Sequence, residues 1–171
     1  TGIGFYVDSL VRSLEAIDRE NEYLKLTPTT SEDFRSTERF VWDQFSVPRR
    51  AVQAGADLLH QPGFSAPVPH RLPVVVTVHD LIAIHFGRDI PLGSRLYFGR
   101  WMPFSYRFAD HIIAVSESTK QDLVEHLQID PAKITAIPLA ADARFEPITD
   151  QSVIDPVMQQ FKTGADFILH V

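Results

Sequence analysis

His79 and Asp80 close a run of β-branched residues, Val74-Val75-Val76-Thr77-Val78. A side chain at the carboxyl end of a buried parallel strand lines the ligand crevice of an open α/β sheet. A histidine there hydrogen-bonds a hydroxyl or moves a proton. Asp80 either orients that imidazole or caps the next short helix. The plainer alternative is a capping Asp beside a His bonded to backbone; the functional reading of His79 is the one carried forward.

Thr1-Gly2-Ile3-Gly4 stands directly before an amphipathic stretch. Glycines let the backbone approach a ligand, and a helix N-terminus offers N–H groups and positive potential to a phosphate or sugar oxygen. A simple tight turn before a helix is the alternative. As a dinucleotide fingerprint the segment fails: the third Gly would fall at Val7, and no acidic residue ends the next segment at Thr27-Pro28. Ser116-Glu117-Ser118-Thr119 marks another switch from strand to helix. Ser116 is an N-cap, a hydroxyl facing the crevice, or both. No Gly-x-Ser-x-Gly elbow surrounds it, which argues against a nucleophilic serine. His79, Asp80 and His85 fit no standard ligand spacing, so no metal is expected. His60, His70, His111, His126 and His170 are scattered and read as surface or satisfied core residues.

The elements that must position these residues alternate short β-branched runs with helical periodicity. That pattern predicts an α/β fold with a mostly parallel sheet. Phe5, Leu10, Val11, Leu14 and Ile17 predict a first helix that starts almost at the first residue. Strands are predicted at Glu22–Thr27, Ala56–Gln61, Pro73–Val78, His111–Val115, Ile134–Leu139 and Phe167–Val171. Helices are predicted at Val47–Gly55, closed by Gly55, at Glu117–Leu127 and at Ser152–Lys162. Pro28–Ser46 reads as loop with short helical turns. Arg95–Phe108 reads as a strongly aromatic helix interrupted near Pro103. Its apolar load suggests core packing or a partner surface, with Arg95, Arg100 and Arg107 as a solvated face.

Composition narrows the classes. The chain has 171 residues, 44% apolar and 22% charged, which is ordinary globular usage and enough chain for a sizeable core. It has no Cys, which removes disulfides, thiolate–metal sites and thiol catalysis and fits a reducing compartment. Sixteen basic against 22 acidic residues give −6, without a dense basic block, so no nucleic-acid partner is expected. No run is long and apolar enough to span a bilayer.

Four motifs occur in order: Gly2-Ile3-Gly4-Phe5-Tyr6-Val7, Val74–Asp80, Ala109-Asp110-His111-Ile112-Ile113-Ala114-Val115-Ser116-Glu117-Ser118-Thr119, and Ile134–Asp142. His60-Gln61-Pro62 and Ala143-Arg144-Phe145-Glu146-Pro147 add to the pattern. Together the set resembles the N-terminal domain of group 1 (family 4) retaining glycosyltransferases of the GT-B fold. The resemblance implies a Rossmann-like domain over residues 1–146, on the acceptor side of a two-domain cleft. It implies an interdomain connector and the first strand of a C-terminal domain over residues 147–171.

The expected activity is transfer of a hexosyl unit from a nucleotide sugar to a sugar or lipid-linked acceptor, with the nucleotide sugar as co-substrate and no metal. By the same resemblance His79 contacts the donor sugar near the reaction centre. Gly2, Ile3 and Gly4 lie by the donor phosphates, with Asp80 and Ser116 also on the substrate side. The expected location is cytoplasmic, with peripheral contact at the inner face of the membrane where the acceptor is lipid-linked.

The chain departs from the family pattern in lacking a first strand before Thr1 and in carrying Leu139-Ala140-Ala141 where Asn-Gly or Pro-Gly is usual. The C-terminal domain, with its phosphate-clamping basic pair and two acidic residues, is absent. Both ends therefore read as cut, with a short final edge strand as the alternative at the C-terminal side. The fragment is expected to be inactive alone and to self-associate through an exposed interdomain or sheet-edge face. The competing classes are a nucleotide-cofactor Rossmann enzyme, which the missing fingerprint opposes, and a non-catalytic α/β binding module or degenerate transferase half that docks a partner.

Overall fold

A computed structural model describes residues 2–28, 34–85, 91–142, 145–164 and 167. The chain divides into two compact units, Thr1–Leu139 and Ala140–Val171.

The first unit is built on a four-stranded sheet: β1 (Leu59–Gln61), β2 (Val74–Val78), β3 (His111–Ala114) and β4 (Ile134–Ala136). The strands lie side by side in chain order and every pairing is parallel. This is the α/β, Rossmann-like sheet with flanking helices that the alternation predicts. β2 is central, and Val74, Val76, Thr77 and Val78 are all buried, because helical layers cover both faces of an inner parallel strand. The register sets Thr77 opposite Ile113 and Val78 opposite Ala114. At the other end, Asp110 clamps β2, its Oδ2 accepting from Val74 N at 2.8 Å.

Helices α1 (Gly2–Ile17), α2 (Ser36–Val41), α3 (Val47–Gln53), α4 (Ile82–His85), α5 (Leu92–Leu96), α6 (Met102–Ser105) and α7 (Glu117–Leu127) surround the sheet. α7 buries Thr119, Leu123 and Leu127, one residue per turn, against β3 and β4. Gln128 then closes it in the left-handed region at φ 53°. Gly55, at φ 74°, does the same service after α3, as the sequence predicts.

The structure corrects several expectations. Glu22–Thr27 is not a strand. A strand there would need a ladder neighbour, and the described residues give it none. The preceding turn is organised locally instead: Asp18, just past α1, accepts from Glu20 N, Asn21 and the Tyr23 hydroxyl. Those bonds hold its carboxyl below the usual range.

The inward face of α1 is also shifted. Ile3, Tyr6, Leu10 and Leu14 are half-buried, whereas Phe5 is 62% and Ile17 79% exposed. The aromatic run does not break at Pro103. A π-helical turn at Tyr97–Trp101 leads into α6, with Pro103 in its first turn. A second π turn, Trp42–Ser46, precedes Pro48 in α3 in the same way. Proline lacks an N–H and crowds the carbonyl four residues back, and the wider turn relieves both.

A buried polar cluster joins these two helical runs to the loop after β1. Asp43 accepts from the Tyr97 hydroxyl and from Ser65 Oγ, the latter at 3.1 Å. Gln44 Nε2 donates to Ala66 O at 2.8 Å, and Ser105 Oγ accepts from Ala66 N at 3.0 Å. Burial pushes the Asp43 carboxyl up to about 6 despite the Tyr97 hydrogen bond.

The second unit contains α8 (Gln151–Phe161). Asp150 caps it, accepting from Ser152 N at 2.9 Å, and Lys162 closes it at φ 52°. Apart from Phe167, the strand predicted over Phe167–Val171 lies outside the described residues, as do Thr1, Ala143 and Arg144.

Candidate functional site

Parallel strands deliver their carboxyl ends to one edge of the sheet, and in open α/β folds that edge receives ligands. Here β1 ends at Gln61-Pro62-Gly63, β2 at His79-Asp80 and β3 at Val115-Ser116. The first turn of α1 lies against the same edge. The two ends of β2 and β3 are joined by Val115 N, which donates to Val78 O at 3.2 Å.

His79 is half-buried, and its Nε2 lies 3.0 Å from Pro62 O. A carbonyl only accepts, so Nε2 carries the proton. In the neutral imidazole, Nδ1 then holds the lone pair, and it has no hydrogen-bond partner among the described residues. In that form the ring offers an acceptor at Nδ1 toward a hydroxyl. Its own carbonyl is fixed as well, accepting from Thr119 Oγ1 at 3.2 Å.

Ser116 begins α7 in extended conformation, and its Oγ accepts from Thr119 N at 3.0 Å. Ser116 Oγ and Thr119 Oγ1 are also 3.0 Å apart. Because Thr119 gives its hydroxyl proton to His79 O, Ser116 is the donor in that pair. Both uses expected of Ser116 are compatible with this geometry, but its proton is committed, so toward a ligand it accepts. Thr119 thus ties Ser116 to His79, a link the sequence did not reveal.

Asp80 is exposed, and its Oδ1 accepts from Ile82 N at 3.0 Å. It caps α4, which was one of its two readings, and makes no hydrogen bond to the His79 ring among the described residues. Gly2, Ile3 and Gly4 form the first turn of α1 rather than a turn ahead of it. Ile3 packs onto the turn after β1: a Cβ at Gly63 would fall 2.9 Å from Ile3 Cγ2. Gly63 is therefore a glycine because α1 approaches it closely.

Several site residues lie within the quoted motifs but are given no role of their own there. The Tyr6 ring stands perpendicular to the His79 ring, centroids 5.0 Å apart. Tyr6 Oη is 3.2 Å from Thr77 Oγ1, and His60 Nε2 is 2.8 Å from the same hydroxyl. His60 is thus a satisfied histidine, as expected, and burial pulls its pKa down. Gln61 is 6% exposed and its Nε2 has no hydrogen-bond partner among the described residues. The side chain of His85 lies outside the described residues. Among those described, no three metal-ligating side chains gather at one point, and no helix is long and apolar enough to cross a membrane.

Comparison with known proteins adds to this geometry. Residues 2–145 match Glycosyltransferase Family 4. No curated protein matches the chain significantly. Among solved structures, a glycosyltransferase from Rickettsia africae ESF-5 aligns at 17% identity with a TM-score of 0.45. That alignment covers 92% of this chain and 40% of the other, so the chain spans two fifths of that protein's length. The family match runs from the first turn of α1 past the end of β4 and takes in each strand end described above; the chain belongs to Glycosyltransferase Family 4.

Proposed function

We propose that this chain is the acceptor-side part of a GT-B glycosyltransferase that moves a hexosyl unit from a nucleotide sugar to a sugar or lipid-linked acceptor with retention. One observation carries the reading: the residues matching the family include α1, His79 and Ser116, and these converge on one edge of the sheet. Residues 1–146 are the acceptor-side domain in this reading. Residues 147–171 are the connector and first strand of a second domain that holds the donor.

The chemistry asks three things of the whole protein. Negative charge developing on the leaving nucleotide phosphate must be stabilised. The acceptor hydroxyl must be held against the anomeric carbon. Water must be kept out of the cleft. This chain supplies the acceptor wall, the Gly-rich first turn of α1 and the Nδ1 acceptor of His79. The main phosphate clamp belongs to the second domain, so the 171 residues alone are inactive. No metal takes part in this reading. A lipid-linked acceptor would bring the protein to the inner face of the cytoplasmic membrane.

The test is a panel of nucleotide hexoses, with sugar and lipid-linked acceptors, on the full-length protein. Transfer with retained anomeric configuration, reduced at least a hundredfold by His79→Ala as loss of a positioned polar group would require, supports the reading. Failure to turn over any nucleotide hexose counts against it, and inverted product removes the retaining assignment.

A further inference from the structure

Tyr6 is on α1, His79 follows β2, and 71 residues separate Tyr6 from Thr77, yet the three side chains meet. An imidazole on a strand end has two rotations to settle. The Pro62 carbonyl fixes one by accepting a hydrogen bond from Nε2–H, with N and O 3.0 Å apart. A single hydrogen bond leaves the ring free to tilt about it. The Tyr6 ring, perpendicular at 5.0 Å, blocks that tilt from the side. Tyr6 is itself held: its hydroxyl is 3.2 Å from Thr77 Oγ1, which is fully buried and bound on its other side by His60 Nε2 at 2.8 Å. A tyrosine whose hydroxyl is anchored in the sheet is a fixed wall.

We infer that Tyr6 is a positioning residue for His79, a wall that keeps the imidazole on the Pro62 carbonyl and leaves Nδ1 as the atom presented to substrate. This rests on the glycosyltransferase reading of His79, and it assigns to α1 a second task beside that of its Gly-rich first turn. Thr77 and His60 are the anchor of that wall.

The test reads the His79 imidazole N–H directly, by side-chain proton–nitrogen NMR on the 171-residue chain, with His79→Gln to assign the signal. It needs no donor or acceptor. The N–H is read on this chain and transfer on the full-length protein, so failure of this inference is distinguishable from failure of the functional reading. An aromatic contact of ordinary strength protects the Nε2 proton from exchange by about tenfold. Tyr6→Leu removes the ring and is expected to speed exchange by about that factor, whereas Tyr6→Phe keeps the ring, loses its anchor and is expected to speed exchange by only about threefold. Thr77→Val, which frees the Tyr6 hydroxyl, is expected to speed exchange by about threefold. Melting temperatures are taken on each variant, because a merely structural role would lower them without exposing the N–H. If folded Tyr6→Leu exchanges at the parent rate, the inference is wrong. Should Tyr6→Leu fail to fold, Thr77→Val decides, and parent-like exchange there overturns it equally.

Discussion

At the residue scale the site is a set of short polar links that convert identity into protonation and orientation. His79 carries its proton on Nε2 because a carbonyl faces that nitrogen. Ser116 accepts toward a ligand because its own O–H donates to Thr119 Oγ1. Neither role follows from residue type alone. Gly63 shows the same dependence on a distant neighbour, since Ile3 fills the space a Cβ would need. Gly63→Ala is expected to cost about 1 kcal/mol by forcing Ile3 off its rotamer. Ile3→Ala in the same chain should recover part of that cost, so the pair is non-additive in a double-mutant cycle of urea unfolding. Strict additivity would mean that Ile3 gives way freely.

At the element scale two devices carry stability near the site. The first is the Ser116 cap, which satisfies the Thr119 N–H at the start of α7. Ser116→Ala is expected to cost about 1 kcal/mol, and Ser116→Asp, which keeps a capping oxygen, to recover most of it. The comparison of midpoints checks this. The second is the buried cluster of Asp43, Ser65 and Tyr97 that locks the loop after β1 to two helical runs. The Asp43 carboxyl is raised in the folded state to about 6 from 3.8. A raised value means that the folded protein holds the proton more tightly than the unfolded chain. The contribution is therefore full below about pH 4 and is lost as pH rises through about 6. The change is on the order of 2–3 kcal/mol. Asp43→Asn cannot titrate. Its stability relative to the parent should rise between pH 4 and pH 7 by that amount in urea unfolding. Parallel pH curves for the two proteins would refute the assignment.

At the scale of the whole molecule, exposed apolar side chains stand out on both compact units. On the first, Leu96, Phe104 and Phe108 are 52%, 46% and 43% exposed. On the second, Val153, Val157 and Phe161 are 47%, 51% and 67% exposed, one per turn of α8. Rows of this kind on a water-facing surface favour association. The isolated chain is expected to show a mean mass above 19.3 kDa in light scattering at high concentration, falling on dilution. Phe161→Glu should shift that balance toward monomer if α8 contributes. A monomer at every concentration would refute the prediction.

Local pattern alone sufficed where local rules govern. The β-branched runs of β2 and β3 and the Ser-capped α7 need only their own residues to be read, and α7 spans Glu117–Leu127 in both sequence and structure. The motif order likewise carried the family, because His79 and Ser116 are placed by the strands they follow. The tertiary structure decided what depends on a distant partner. Glu22–Thr27 reads locally as a strand but has no ladder neighbour among the described residues, so the local reading misled there. Tyr6, Pro62 and Thr119 reach His79 from α1, the turn after β1 and α7, Thr77 holds Tyr6 from β2, and no spacing in the chain announces such a meeting. Periodicity encodes which face of an element is buried, while the partner across that face is fixed only when the chain closes on itself.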